Sequence, residues 1–196
     1  MRSYRIACLV LGMWLAGGFF MAWMATENFL AADRILNQGN PAAIARLNAI
    51  GLAEGRALLR YQVSEQNRFY FESWEIIQIF LGGFFFSFLL LGTREGKATL
   101  GLALFMLMLL LAQRFVLTPE ITALGRTMDF MPEAQVTGEH AKFMVLHTAY
   151  VAVELAKWGL GLLVAVVLIM QGDRRSRHVR QEVNPIDKAN YRHINR

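Results

Sequence analysis

The stretch FMVLHTAYVAVELAKWGLGLLVAVVLIM, from Phe143 to Met170, decides the fold class. It is apolar almost throughout. It exceeds the roughly 20 residues that a helix needs to cross a bilayer, so it must tilt or project beyond it. Four residues interrupt the apolar run: His147, Tyr150, Glu154 and Lys157. At about 100° per residue they fall on one helical face roughly 80° wide. Ionisable groups inside a bilayer are costly, so they turn towards the protein interior and mark a site.

Working outward, three more segments are long enough to span: Ile6 to Ala25, Phe69 to Leu91, and Leu100 to Leu117, the last closed by Thr118-Pro119. The first follows Arg2 and Arg5 and has the charged start of a signal peptide. Its apolar run is too long for one and no small-x-small cleavage site follows, so it reads as an uncleaved span. The chain of 196 residues is 55% hydrophobic, with mean hydropathy +0.34. That composition is too apolar for an ordinary soluble domain and fits a membrane protein with sizeable polar loops.

Charge gives the orientation. Arg2 and Arg5, then Arg94 and Lys97, then the tail after Gly172 share one side of a four-span chain. That side is the cytoplasm, so both termini are inside; the expected membrane is a bacterial inner membrane. The formal net charge is +5, and much of it lies in Arg174, Arg175, Arg177, Arg180, Lys188, Arg192 and Arg196. A basic segment just beyond a span reads as a flank touching anionic lipid, not as a nucleic-acid surface. The organisation is therefore a transmembrane domain over 1–172 and a basic cytoplasmic tail over 173–196. Cys8 is the only cysteine, which excludes an intrachain disulfide and reads as a small apolar filler.

Two longer loops lie outside, Thr26 to Arg68 and Thr118 to Lys142. In the first, Asn40-Pro41 places an N-cap and a first-turn proline before Ala42 to Tyr61. This predicts an additional surface helix, weakened by Gly51 and Gly55. The second reads as irregular with a short helical turn. Gly12 with Ala16, Gly18 with Ala22, Gly83 with Ser87 and Gly161 with Ala165 have the spacing of close helix contacts. The expected fold is all-α, a four-helix bundle in the membrane with the surface helix added.

Each span brings polar residues to its outer end. The second carries Arg68, Glu72, Glu75 and Gln78 on one face, the third leaves with Gln113 and Arg114, and the first ends in Thr26, Glu27 and Asn28. Several chemistries fit. A structural network would pair Glu154 with Lys157 and Arg68 with Glu72. A proton relay would use the carboxylates and His147, but Gly159 to Met170 is wholly apolar and plugs a through-path. A Cu(I) site would draw on Met144 with His147, or Met21 with Met24, as soft ligands; Met128 and Met131 share that spacing. A carboxylate site would use Glu72, Glu75, Glu120 and His147. His147 and Glu154 are about 10 Å apart along the axis, too far to share one ion. Haem is disfavoured, since His147 is the only histidine in a span while His140, His178 and His193 lie outside. No nucleophile elbow, phosphate loop or His-Glu-x-x-His is present, so no cofactor is assigned and no enzyme is expected.

Three stretches together resemble the transmembrane-protein-205-like family of small four-span membrane proteins. They are Trp14-Leu15-Ala16-Gly17-Gly18-Phe19-Phe20; Gln66-Asn67-Arg68 through Trp74-Glu75 to Gln78; and Leu117-Thr118-Pro119-Glu120-Ile121 followed by Phe143, His147 and Glu154. The resemblance implies a four-helix bundle and a membrane role, and supplies no reaction or catalytic residue. The expected protein is an accessory, assembly or stress-related membrane component with an outward-facing polar site and other membrane subunits as partners. A transporter, a copper-handling protein or a proton relay is the alternative.

Overall fold

Glycine and asparagine at a few positions divide an otherwise helical chain. In the computed structural model, residues 2–92, 96–131 and 137–194 are described, with side chains over 3–92, 96–131 and 138–172. Arg94, Pro132 and the basic side chains after Gly172 lie outside the described side chains. No strand occurs among the described residues.

Helix α1 spans Arg2–Gln38. It does not stop at Ala25, as the apolar run suggested. Nothing from Thr26 onward breaks a helix: Thr26 hydrogen-bonds back to the Ala22 carbonyl at 3.0 Å, and Arg34 pairs with Glu27 at 3.1 Å. Helix α2, Pro41–Ile50, has the expected cap, with the Asn40 side chain accepting from the Ala42 amide at 2.9 Å. Gly51, at φ 97°, ends it, a left-handed conformation that costs a residue with a Cβ. The chain then enters α3, Leu52–Gly92. The predicted Ala42 to Tyr61 helix is thus split at Gly51, and its second half is the start of α3. At 1.5 Å per residue α3 is about 60 Å long, twice the hydrocarbon thickness.

Helix α4, Lys97–Ala112, passes into a π-turn at Gln113–Leu117 and then into α5, Thr118–Met128. Thr118-Pro119 was expected to close the third span, and Thr118 to Lys142 to be largely irregular. Neither holds: the helix continues to Met128, and α6 begins at Thr137 and runs to Ile194. Within a regular α-helix a proline clashes with the carbonyl four residues back. The wider turn, whose Thr118 amide bonds to the Gln113 carbonyl, accommodates Pro119 without ending the helix.

Among the described residues, four helical segments are long and apolar enough to cross a membrane: Ser3–Gln38, Leu52–Gly92, Lys97–Met128 and Gly138–Gly172. They pack side by side: α1 against α3 and α6, and α4 against α3 and α6. Their apolar interior includes Ala7, Leu11, Phe85, Leu89, Met106 and Leu168. The outward faces are apolar as well, with Phe80 74% and Leu91 84% exposed. Apolar surface on this scale needs a nonaqueous surrounding or a partner.

Only half of the small-residue pairs lie at helix contacts. A Cβ on Gly161 would meet Leu15 at 2.7 Å and one on Gly18 would meet Trp158 at 3.0 Å, but Gly12 and Gly83 have nothing within 4 Å. The tightest approach is at Gly17, where a Cβ would lie 2.1 Å from the Trp74 ring.

Candidate functional site

Helix α3 presents Arg68, Glu72, Glu75 and Gln78 along one face, and the other helices bring partners to it in two tiers. The outer tier is near the start of α3. Arg68 donates to Asp129 at 2.9 and 3.2 Å and to Glu65. Arg126 donates to the same Glu65 at 3.2 and 3.3 Å. Gly125 allows this approach, since a Cβ there would sit 2.9 Å from an Arg68 nitrogen. Arg68 was expected to pair with Glu72. It turns instead to Glu65 and Asp129, and Glu72 has the Thr122 hydroxyl at 3.4 Å. Beside this tier, Asn28 donates to Asn67 at 2.7 Å, joining α1 to α3.

The inner tier lies between the four long segments. Lys157, 1% exposed, donates to Glu154 and to the Gln78 carbonyl oxygen, both at 2.9 Å. The Trp14 indole donates to the same Gln78 oxygen at 2.8 Å, and Gln113 donates to Glu154 at 3.0 Å. The Glu75 carboxylate is fully buried. One of its oxygens accepts from Tyr150 at 3.1 Å and from Thr118. Its other oxygen has no hydrogen bond, but an Arg114 nitrogen lies 3.6 Å away.

Two carboxylates therefore face two cations, and the network is charge-balanced when all four are ionised. Pairing of this kind is what makes buried charge tolerable: an ion pair in a poorly solvated interior repays its desolvation only when its remaining atoms are also bonded. The balance is not complete. The Gln78 amide nitrogen and the Gln113 carbonyl oxygen are buried without partners.

Seven of the sequence-identified residues thus converge: Tyr150, Glu154, Lys157, Glu75, Gln78, Gln113 and Arg114. Arg68 and Glu72 belong with the outer tier. Arg68 and Gln78 are ten residues apart on α3, about 15 Å along the axis, so the polar groups are spread in depth and do not meet at one level. His147 is not in the cluster. It is exposed and its ring stacks on Phe143 with centroids 5.9 Å apart. The buried line of α6 runs through Tyr150, Lys157, Val164 and Leu168, and His147 stands about 60° off it.

The metal candidates are scattered. Met144 is exposed, and Met21 and Met24 are half-buried on α1. No group of three or more His, Cys, Asp or Glu side chains is placed to hold an ion among the described residues. Sequence reasoning missed Trp14 and Thr118 as members of the network. Trp14 lies in an apolar run with no polar side chain nearby in the sequence to mark it, and Thr118 reads as part of a helix stop.

An open groove of about 340 Å³ lies against this network. Glu72, Arg114, Phe115, Thr118, Thr122 and Arg126 line it. Arg114 and Thr118 also contact Glu75, so they stand between the groove and the buried carboxylate. Comparison with known proteins found no matching family model, no matching curated relative and no matching solved structure.

Proposed function

We propose that the protein is a four-span bundle of the inner membrane and an accessory or assembly component for other membrane subunits. Its termini lie in the cytoplasm and α2 lies on the outer surface. Positive charge supports the orientation: Arg5 and Lys97 stand near the ends of α1 and α4 that are distant from the polar tiers. The polar tiers then occupy the outer half of the bundle, with the groove opening outward. The resemblance to the transmembrane-protein-205-like family agrees with this architecture.

One observation carries the functional reading. The inner network takes side chains from all four long segments, Trp14, Gln78, Gln113 and Lys157 among them, and apolar side chains close the space beyond it. A charge-balanced cluster above an apolar plug holds helices in register better than it conducts ions. The protein then acts through its surfaces, as a subunit that others bind.

The test is purification from the native membrane in mild detergent, followed by mass spectrometry, elemental analysis and an absorption spectrum. Stoichiometric membrane subunits travelling with the protein are the expected result. A solitary protein carrying a stoichiometric metal or a haem band would overturn it.

A further inference from the structure

The groove beside Arg114 has a mixed character that the inner network does not explain. Its wall includes Phe115, and Phe115 and Val116 are 69% and 59% exposed, as expected of side chains in contact with acyl chains. Its rim carries two guanidinium groups and one carboxylate, from Arg114, Arg126 and Glu72.

These charges are only partly engaged. Arg114 stands 3.6 Å from Glu75, beyond hydrogen-bond length. Arg126 is 60% exposed and shares Glu65 with Arg68. Glu72 is half-buried and forms no ion pair within 4 Å among the described residues; the Thr122 hydroxyl approaches it at 3.4 Å, and the Arg126 charge acts on it from further away.

We propose that this groove binds a zwitterionic phospholipid of the phosphoethanolamine type. Arg126, the more exposed guanidinium, takes the phosphate, Glu72 takes the ammonium, and an acyl chain runs down past Arg114 along Phe115 and Val116. Guanidinium groups suit phosphate oxygens, and a carboxylate with no cation at ion-pair distance suits an ammonium. Glu72 is what sets the headgroup: the phosphate is common to both lipids, and a glycerol headgroup offers the carboxylate no positive charge. The inference rests on the membrane-spanning reading above.

The experiment uses the full chain in detergent, titrated with phosphatidylethanolamine or phosphatidylglycerol and followed by native mass spectrometry. The wild-type protein should retain phosphatidylethanolamine about tenfold more strongly, the worth of one charge-assisted hydrogen bond. Glu72→Gln should abolish that preference, and Arg126→Gln should weaken both lipids. Neither side chain holds the inner network, so both variants should keep the wild-type far-ultraviolet circular dichroism. Equal retention of the two lipids by the wild type would overturn the proposal, as would a preference that survives Glu72→Gln. Resistance of the protein to alkaline extraction from membranes is scored in parallel. Extraction would mean that the spanning reading fails, whereas firm insertion without lipid selectivity would mean that only the groove assignment fails.

Discussion

Replacing Glu154 with glutamine should destabilise the protein more than replacing Lys157 with methionine, although the two residues form one pair. The difference lies in what each change strands. Glu154→Gln leaves the Lys157 ammonium, with 2% of its side chain exposed, bonded only to neutral carbonyl oxygens, at Gln78 and on the new glutamine, with its paired negative charge gone. Breaking a buried pair from one side costs about 3–5 kcal/mol, and this case belongs near the top of that range. Lys157→Met strands Glu154, whose side chain is 19% exposed and which keeps the Gln113 donor. Partial access to water brings that cost to about 3 kcal/mol. The double variant strands neither charge and should lose about 1–2 kcal/mol, the worth of the deleted hydrogen bonds. The coupling energy is then about 6 kcal/mol, well above the roughly 0.6 typical of interhelical hydrogen bonds in a bilayer. The assay is unfolding of the bicelle-reconstituted protein by a denaturing detergent, followed by circular dichroism. Additive single costs would refute the pairing. A larger loss for Lys157→Met than for Glu154→Gln would refute the argument from burial.

Other positions give independent tests. Gly17→Ala places a Cβ 2.1 Å from the Trp74 ring; it should cost about 1–3 kcal/mol by overpacking, and Trp74→Leu should restore much of the loss in a thermal melt. Gly12→Ala, with nothing within 4 Å, should be neutral or stabilise by up to about 1 kcal/mol through helix propensity. Tyr150→Phe should cost about 1 kcal/mol, because Glu75 keeps Thr118 and Arg114. Adding Thr118→Val leaves the carboxylate only the 3.6 Å approach of Arg114, and the melt should then fall by more than the sum of the two single changes. Gly51→Ala strains the φ 97° position at about 1 kcal/mol, and limited proteolysis at the α2–α3 junction should quicken.

Spans and polar faces were legible because both follow from a helical period. Tyr150, Glu154 and Lys157 reached the interior as the spacing required. His147 did not, because the face was centred on four polar residues, and the buried line is set by packing through Val164 and Leu168. Helix ends were less legible. The apolar run of α1 ends at Ala25 while the helix goes on to Gln38, since hydropathy marks where lipid could lie and not where hydrogen bonding stops. The partner of Arg68 could not be read locally. Glu72 is its neighbour by helical spacing, but Asp129 comes from a segment taken as loop. The π-turn left a trace that went unused: buried positions on the third span step from Met106 to Leu110 to Gln113, and then by five to Thr118.

Both polar tiers hang from α3, and between Arg68 and Gln78 that helix has no break. It works as a single shaft. A turn of α3 about its axis large enough to free Arg68 from Asp129 also carries Gln78 away from Lys157, and Glu75 with it. For such a rigid turn the two clusters are two locks on one bolt. Seventeen residues of the same shaft, from Leu52 to Arg68, precede the apolar run that begins at Phe69. Whatever grips that extension holds a lever on the ion pairs buried below it.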